Sequence, residues 1–109
     1  MQQTLDTPGT YSCAIVAARS KLLRDKERVH EYRLEVLRGP AKGQLLRVEL
    51  SLLPGCMKTY QSFLQSLGEL AQSAATLKEL VGLRLRVKCE IDRYTGKLVA
   101  TKFLPLTGK

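Results

Sequence analysis

The segment at residues 81–105 constrains the fold of this chain more than any other, because it alternates regularly between apolar and polar residues. From Leu83 to Ile91, apolar residues occupy every second position and charged residues occupy the positions between them. A period of two is the pattern of a β-strand with one buried and one solvated face. This segment therefore predicts a strand with an apolar side and a charged side.

A second strand is predicted directly after it, across a short turn. Asp92 can begin a turn, and Gly96 can adopt the positive φ angle that closes a hairpin loop. The segment Leu98–Leu104 contains β-branched and aromatic residues, which favour a strand, and Pro105 ends it. We expect a β-hairpin with one apolar face and one cationic face.

The same alternation predicts three earlier strands. The first, Tyr11–Leu23, is rich in small residues, which suit a strongly bent strand. Its period places Tyr11, Cys13, Ile15 and Ala17 on one face. The second strand is predicted at Val29–Arg38, and the third at residues 46–52, before Pro54 and Gly55.

The periodicity then changes from two to between three and four, which is typical of an amphipathic helix. Gly68 is expected to interrupt or cap this helix. The segment Thr76–Glu79 has the form of a capping box and predicts a short second helical turn. The residues expected on the buried face of the main helix are Met57, Tyr60, Phe63, Leu64, Leu67, Leu70 and Ala71.

The order of the elements predicts a mainly β protein, a five-stranded OB-fold barrel with a helix between strands 3 and 4. A split α+β sheet is the alternative. The length of 109 residues fits one domain. We expect a flexible lead at residues 1–8, the OB-fold domain at 9–105 and a short tail at 106–109.

Positive charge is concentrated in two segments of the chain. The formal net charge is +8, which favours phosphate or acidic partners. Arg19–Arg28 carries a net +3 and Arg84–Lys102 a net +4. In OB-folds, oligonucleotides bind across strands 2 and 3 and the loops between strands 1 and 2 and strands 4 and 5. The charge falls in those loops, which predicts a basic, non-catalytic protein that binds single-stranded nucleic acid.

The predicted nucleic-acid-binding residues combine basic side chains with aromatic rings on which bases can stack. Tyr94, at a loop tip, is the first candidate for stacking, followed by Tyr32 and Phe103, which also fit the core. We expect the pair Lys26 and Arg28 to matter more than the Arg84 and Arg86 pair. The full predicted set is Arg24, Lys26, Arg28, Tyr32, Arg33, Arg47, Arg84, Arg86, Lys88, Arg93, Tyr94 and Lys97.

Three carboxylates complicate this assignment. Glu31, Glu35 and Glu49 are predicted on the outward side of strands 2 and 3, where they would repel phosphate. Either they form cross-strand pairs with Arg33 and Arg47, or the nucleic acid follows the outward residues of strand 4. Those residues are Arg84, Arg86 and Lys88.

The chain resembles the small single-stranded-DNA-binding OB-fold proteins of phages, plasmids and integrative elements, and more loosely the primosomal and replication accessory proteins of that fold. The resemblance covers residues 9–105 and is carried by the element order, the turn at Gly39–Gly43 and the segment Leu80–Gly82. It implies sequence-tolerant coating of exposed DNA strands during replication or recombination, often as an oligomer. The residues Leu106–Lys109 differ from the acidic tail of many bacterial single-strand binders, so recruitment of partners by that route is not expected.

Other function classes find little support in the sequence. His30 is the single histidine, no phosphate-binding GxxxxGK[ST] or GxGxxG motif occurs, and the three cysteines lack CxxC spacing. We therefore predict no catalysis, metal or cofactor. The polar start and the absence of an apolar run of about twenty residues predict a cytoplasmic protein without a membrane segment.

The competing hypothesis is an OB-fold protein-interaction module in a replication or conjugation complex. In that case the basic face would dock an acidic protein. The partners expected from the sequence are single-stranded nucleic acid, replication or recombination proteins and a second copy of the chain, joined through an exposed strand edge.

Overall fold

The computed structural model describes residues 4–68, 71 and 76–106. The helical elements whose bounds the structure describes are the α-helix α1 (Met57–Leu67) and two 3-10 turns, Pro54–Cys56 and Leu77–Leu80, all between the third and fourth strands. The described residues thus confirm a mainly β protein with a helix at the predicted place. The strands are β1 (Gly9–Leu22), β2 (Arg28–Val36), β3 (Leu45–Ser51), β4 (Arg84–Ile91) and β5 (Leu98–Leu104).

The five strands form a single antiparallel sheet in the order β3-β2-β1-β4-β5. Strand β1 is central: residues 9–14 pair with β4 and residues 13–22 pair with β2. No ladder joins β3 to β5 in the described part of the chain, so hydrogen bonding does not close the sheet into a barrel.

A register shift between Ile15 and Ala17 interrupts the pairing of β1 with β2. Such a bulge adds one residue to a strand and bends it, which fits the bend predicted from the small residues. The extra residue also exchanges the inward and outward positions of the β1 residues that follow it. Ala17, predicted to share a face with Ile15, is exposed and lies opposite Arg33 on the outer face, whereas Ile15 is buried.

The sheet curls around α1. The ring of Phe63 packs against Tyr32 of β2 and Phe103 of β5, with centroid distances of 4.6 Å and 5.1 Å. Strands β2 and β5 are separated by two other strands, and neighbouring strands lie about 4.8 Å apart. A single side chain can contact both only if the sheet bends toward the helix, so Phe63 occupies the centre of one common core.

Both predicted helical segments are present, with one correction. Helix α1 ends at Leu67, and Gly68 follows with a φ of 92°, which confirms the predicted glycine cap. Leu70 lies outside the described residues. The turn at Leu77–Leu80 is present, but Thr76 makes no side-chain cap hydrogen bond, so the capping box predicted there is wrong. Thr76 has extended backbone angles, and the turn it precedes is 3-10 and not α-helical.

The packed part of the chain begins before residue 9. The backbone amide of Leu5 donates to the carbonyl of Leu45 at 2.7 Å, and Leu5 is buried in the core. Thr4 forms a parallel bridge with Leu45. The start of β3 is therefore covered by residues that the sequence placed in a lead.

Candidate nucleic-acid interface

The turn between β4 and β5 has the predicted construction. The Asp92 carboxylate accepts hydrogen bonds from the backbone amides of Tyr94 and Thr95 at 2.7 Å and 3.3 Å. Gly96 has a φ of 70° and donates to the Asp92 carbonyl at 2.9 Å. The turn holds Tyr94 at its tip, 96% exposed, between the exposed side chains of Arg93 and Lys97.

The outer face of the β4–β5 hairpin is basic. Leu85, Val87 and Cys89 are buried, which confirms the predicted alternation of β4. Ile91, predicted on the same face, is 44% exposed because the strand ends there and passes into the turn. We call the four cations on the outer face the hairpin patch: Arg84, Arg86, Lys88 and Lys102.

Two members of the hairpin patch face each other. Lys88 lies directly opposite Lys102 in the β4–β5 ladder, and like charges in this position destabilise a sheet. Glu90 forms an ion pair with Lys88 at 3.3 Å, and the Nε of Arg86 donates to the Pro105 carbonyl at 3.0 Å. Within residues 84–104 the acidic residues are Glu90 and Asp92, and Asp92 is engaged in the turn. The face keeps a surplus of positive charge.

The outer face of β1, β2 and β3 is more nearly balanced, because its arginines surround a carboxylate. Glu31 is only 3% exposed, and its Oε1 accepts a hydrogen bond from the Nε of Arg19 at 2.7 Å. Lys21 and Arg47 approach its Oε2 to 3.8 Å and 3.7 Å. Arg47 also lies 3.7 Å from Glu49. The sequence left open whether these glutamates form cross-strand pairs with arginine. Such a pair is confirmed between Glu31 of β2 and Arg47 of β3.

These cations keep Glu31 ionised. Burial by itself raises the pKa of the Glu31 carboxyl, but the hydrogen bond from Arg19 and the charges of Arg19, Lys21 and Arg47 outweigh it, so the pKa is lowered. Arg33, by contrast, is exposed and forms no ion pair with a described residue. It lies opposite Arg47.

Of the predicted residues, Arg24 and Lys26 lie in the loop between β1 and β2, and Arg28 is the first residue of β2; all three are exposed. The amide of Leu23 donates to the Glu27 carbonyl at 2.9 Å and closes the loop, and Lys26 has a φ of 67°. Asp25 and Glu27 alternate with the three cations in the sequence. This loop therefore has a smaller charge surplus than the hairpin patch.

The two charged loops lie at opposite ends of β1. Leu22 and Arg28, beside the first loop, pair at the end of β1, whereas Cys89, near the second loop, pairs with Gly9 at its beginning. The register does not bring the loops together along the strand.

Among the predicted stacking residues, Tyr94 alone presents an exposed ring. Tyr32 is fully buried, with its ring against Phe63 and its hydroxyl 3.1 Å from that of Tyr60. A ring inside the core cannot stack on a base, so the assignment of Tyr32 to the interface is wrong. Phe103 is also buried. The signal was available in the sequence, because Tyr32 shares its period with Leu34.

The edges of β3 and β5 face each other across a groove of about 220 Å³. Residues 47–50 of β3 and Leu98, Val99, Ala100 and Phe103 of β5 line it, together with Thr59 of α1. Since β3 and β5 are the first and last strands of the sheet, this groove is the gap that remains where the curled sheet does not close.

The remaining chemistry of the described residues is limited. No three His, Cys, Asp or Glu side chains among them are grouped as a metal site requires, and no helix that the structure describes is long and apolar enough to cross a membrane. All three cysteines are free, and burial raises the pKa of the Cys89 thiol to about 11. No protein-family model matches this chain, and a search of curated proteins finds none with significant similarity.

Proposed function

We propose that this protein binds single-stranded nucleic acid without catalysing a reaction, and that the hairpin patch is the principal contact. The observation that carries the proposal is the pairing of Lys88 opposite Lys102. Like charges directly opposite each other destabilise a sheet, and a phosphate bound near both side chains would offset that repulsion. Arg84 and Arg86 extend the same face along β4.

A single strand fits this surface better than a duplex does. The strand offers unpaired bases as well as phosphates, and base–aromatic stacking contributes about 1 to 3 kcal/mol per base. Tyr94 stands at the end of the same hairpin with nearly its whole side chain accessible. Phosphates on the hairpin patch and a base on Tyr94 would use both features at once. We take single-stranded DNA, handled during replication, recombination or transfer, as the ligand.

The architecture supports an OB-fold as part of this proposal. An OB-fold is a five-stranded, partly open barrel that binds oligonucleotides. The strand order, the position of α1 between β3 and β4, and the facing edges of β3 and β5 all agree with such a barrel. The hairpin patch would then extend the binding surface beyond the strands that this fold ordinarily uses.

The basic residues proposed here as the main contacts differ from those that the sequence analysis expected to matter most. Arg47 is engaged with Glu31 and Glu49, and Lys26 and Arg28 stand next to acidic neighbours in the sequence. The hairpin patch has the larger surplus of charge. We therefore propose Arg84, Arg86, Lys88 and Lys102 as the principal contacts, with Arg93 and Lys97 beside Tyr94.

Fluorescence anisotropy over a salt series tests the proposal, with labelled oligo-dT, a matched duplex and a matched RNA. Binding to four phosphates of a single strand predicts that log K falls with log[salt] with a slope of roughly −3. Reversing the charge of Arg84 and Arg86 should weaken oligo-dT binding more than reversing Lys26 and Arg28. Failure to bind any strand at about 50 mM salt would reject the proposal and favour docking of an acidic protein.

A further inference from the structure

A cleft between α1 and β5 is lined by cations and hydroxyl groups, and we call it the α1–β5 cleft. It has a volume of about 240 Å³, and its walls are Lys58, Thr59 and Ser62 of α1 and residues 100–103 of β5. Ser62 follows Thr59 by three positions and Lys58 by four, which places the three side chains on one side of the helix. The helix therefore gives the cleft a polar wall.

The other wall is shaped by a bulge in β5. Lys88 of β4 pairs with Lys102, and the next residue, Cys89, pairs with Ala100. Thr101 is therefore the extra residue of the bulge, and its hydroxyl donates to the Lys88 carbonyl at 3.2 Å. Thr101 and Lys102 are both exposed, although they are neighbours in a strand. A bulge and a lysine on an edge strand disfavour pairing with a strand from another chain, which leaves the cleft to a smaller ligand.

Four polar side chains of the α1–β5 cleft have no partner among the residues that the structure describes. The ammonium groups of Lys58 and Lys102 form no ion pair there, and the hydroxyl groups of Thr59 and Ser62 form no hydrogen bond there. Lys102 also lies opposite Lys88 in the β4–β5 ladder, and like charges in that position repel each other. Four donors are thus available to a ligand in the cleft.

The lining of the cleft is positively charged without compensation. In the described part of the chain no carboxylate lines it, and the sequences of α1 and β5 contain no Asp or Glu. Two other recesses differ in this respect. The groove between β3 and β5 contains Glu49, and the recess beside Arg19 and Arg33 contains Glu31. An anion would meet a negative charge in either of those recesses, whereas the α1–β5 cleft offers it cations.

We propose that the α1–β5 cleft binds one phosphate group, which the nucleic acid strand supplies as it passes from the hairpin patch over Lys102. Lys102 belongs to both surfaces. The two ammonium and two hydroxyl groups would donate to the phosphate oxygens, and charge-assisted hydrogen bonds of this kind are stronger than neutral ones. The inference rests on the proposed function for the source of the phosphate, while the chemistry of the cleft is independent of it.

The donors fit a phosphate better than the carboxylate of an acidic protein. A carboxylate offers two oxygens in one plane, which the planar fork of arginine matches, whereas lysine binds phosphate as a point charge. The described lining of the cleft contains lysines and hydroxyl groups on two elements and no arginine. A tetrahedral phosphate can direct oxygens toward both walls at once.

The first test measures oligo-dT affinity over a salt series for the full chain and two exposed variants of α1. Lys58→Gln removes one cation and should reduce the steepness of log K against log[salt] by about 0.7. Ser62→Ala should weaken binding at fixed salt by roughly fivefold, the loss expected for one hydrogen bond, and leave the slope unchanged. Thermal denaturation verifies the fold of each variant.

The matched control is Lys42→Gln, which removes the same charge at an exposed position outside the cleft. Its slope should equal that of the parent protein. Equal slopes for Lys58→Gln and Lys42→Gln would overturn the strand as the source of the phosphate.

The second test is an NMR titration of the isotope-labelled protein with inorganic phosphate, and with acetate at the same pH and ionic strength. Phosphate should selectively shift the amide signals of Thr59, Ser62 and Lys102, and Lys58→Gln should remove these shifts. Equal shifts with acetate would overturn the assignment of phosphate.

The two tests separate this inference from the proposed function. If oligo-dT binds, the two lysine variants have equal slopes and phosphate causes no selective shift, the cleft is rejected and the proposed function stands. Selective phosphate shifts without binding of any strand would support the cleft and reject the proposed function. A reduced slope for Lys58→Gln without shifts from free phosphate would support the cleft with the strand as the source. Absence of strand binding and of phosphate shifts would reject both.

Discussion

The hydroxyl group of Tyr60 lies 2.7 Å from the Nδ1 of His30 and shares a hydrogen bond with it. The same hydroxyl lies 3.1 Å from the hydroxyl of Tyr32. Tyr60 belongs to α1, whereas His30 and Tyr32 belong to β2. This polar chain connects the helix to the inner face of the sheet, beside the aromatic contact of Phe63 with Tyr32.

The stability of the protein should depend on the protonation of His30. Burial, assisted by the charge of Arg28, lowers the pKa of His30 below its ordinary value of 6.5. The unfolded chain therefore binds a proton at a higher pH than the folded protein does. Stability should be fully present above about pH 6.5 and should decrease as the pH falls from there toward the lower folded pKa.

Urea unfolding at several pH values between about 7.5 and 5.5 measures this effect. The variant His30→Gln lacks the titrating group and should lose less stability over the same interval. If the parent protein and the variant show the same pH dependence in that window, His30 does not provide it.

Removing the Tyr60 hydroxyl should destabilise the protein by about 1 to 3 kcal/mol. The substitution Tyr60→Phe leaves the buried hydroxyl of Tyr32 without this partner, and an unsatisfied buried polar group costs about that much. Chemical denaturation measures the change. The matched control is Tyr94→Phe, which removes a hydroxyl from an exposed turn and should leave the free energy of unfolding unchanged.

The substitution Tyr94→Ala should weaken binding without affecting the fold. Its ring is almost fully exposed at the hairpin tip, so it contributes little to the core. Loss of one stacked base predicts a binding loss of about 1 to 3 kcal/mol. Anisotropy with oligo-dT measures the affinity, and thermal denaturation verifies the fold. An unchanged affinity would show that no base stacks on Tyr94.

The substitution Lys102→Glu should have opposite effects on stability and binding. A carboxylate opposite Lys88 replaces a repulsive cross-strand pair by an attractive one, worth about 0.2 to 1 kcal/mol. The same change places a negative charge in the hairpin patch and should reduce oligo-dT affinity and the steepness of its salt dependence.

The control for this experiment is Lys42→Glu, which makes the same change of charge at an exposed site in the turn between β2 and β3. If both variants weaken binding equally, the effect comes from net charge and the hairpin patch is not a specific contact surface.

Local sequence patterns predicted most of the elements. The segment Leu98–Leu104 agrees with β5 at both ends, and Asp92 and Gly96 form the turn expected of them. These features depend on neighbouring residues, whose periodicity and turn chemistry are visible in the sequence. The bulge at Ile15–Ala17 was not predicted, because a bulge is defined by the partner strand as well as by its own residues.

The sequence by itself determined which residues form strands, where the helix lies and which β4 residues face outward. Only the tertiary structure decided which of the outward charges are neutralised. Glu31 meets Arg19 of β1 and Arg47 of β3 across two ladders, whereas Lys88 meets Lys102 across a third. A period of two assigns each residue to a face, but the partner of a charge depends on the register between strands that are distant in the chain.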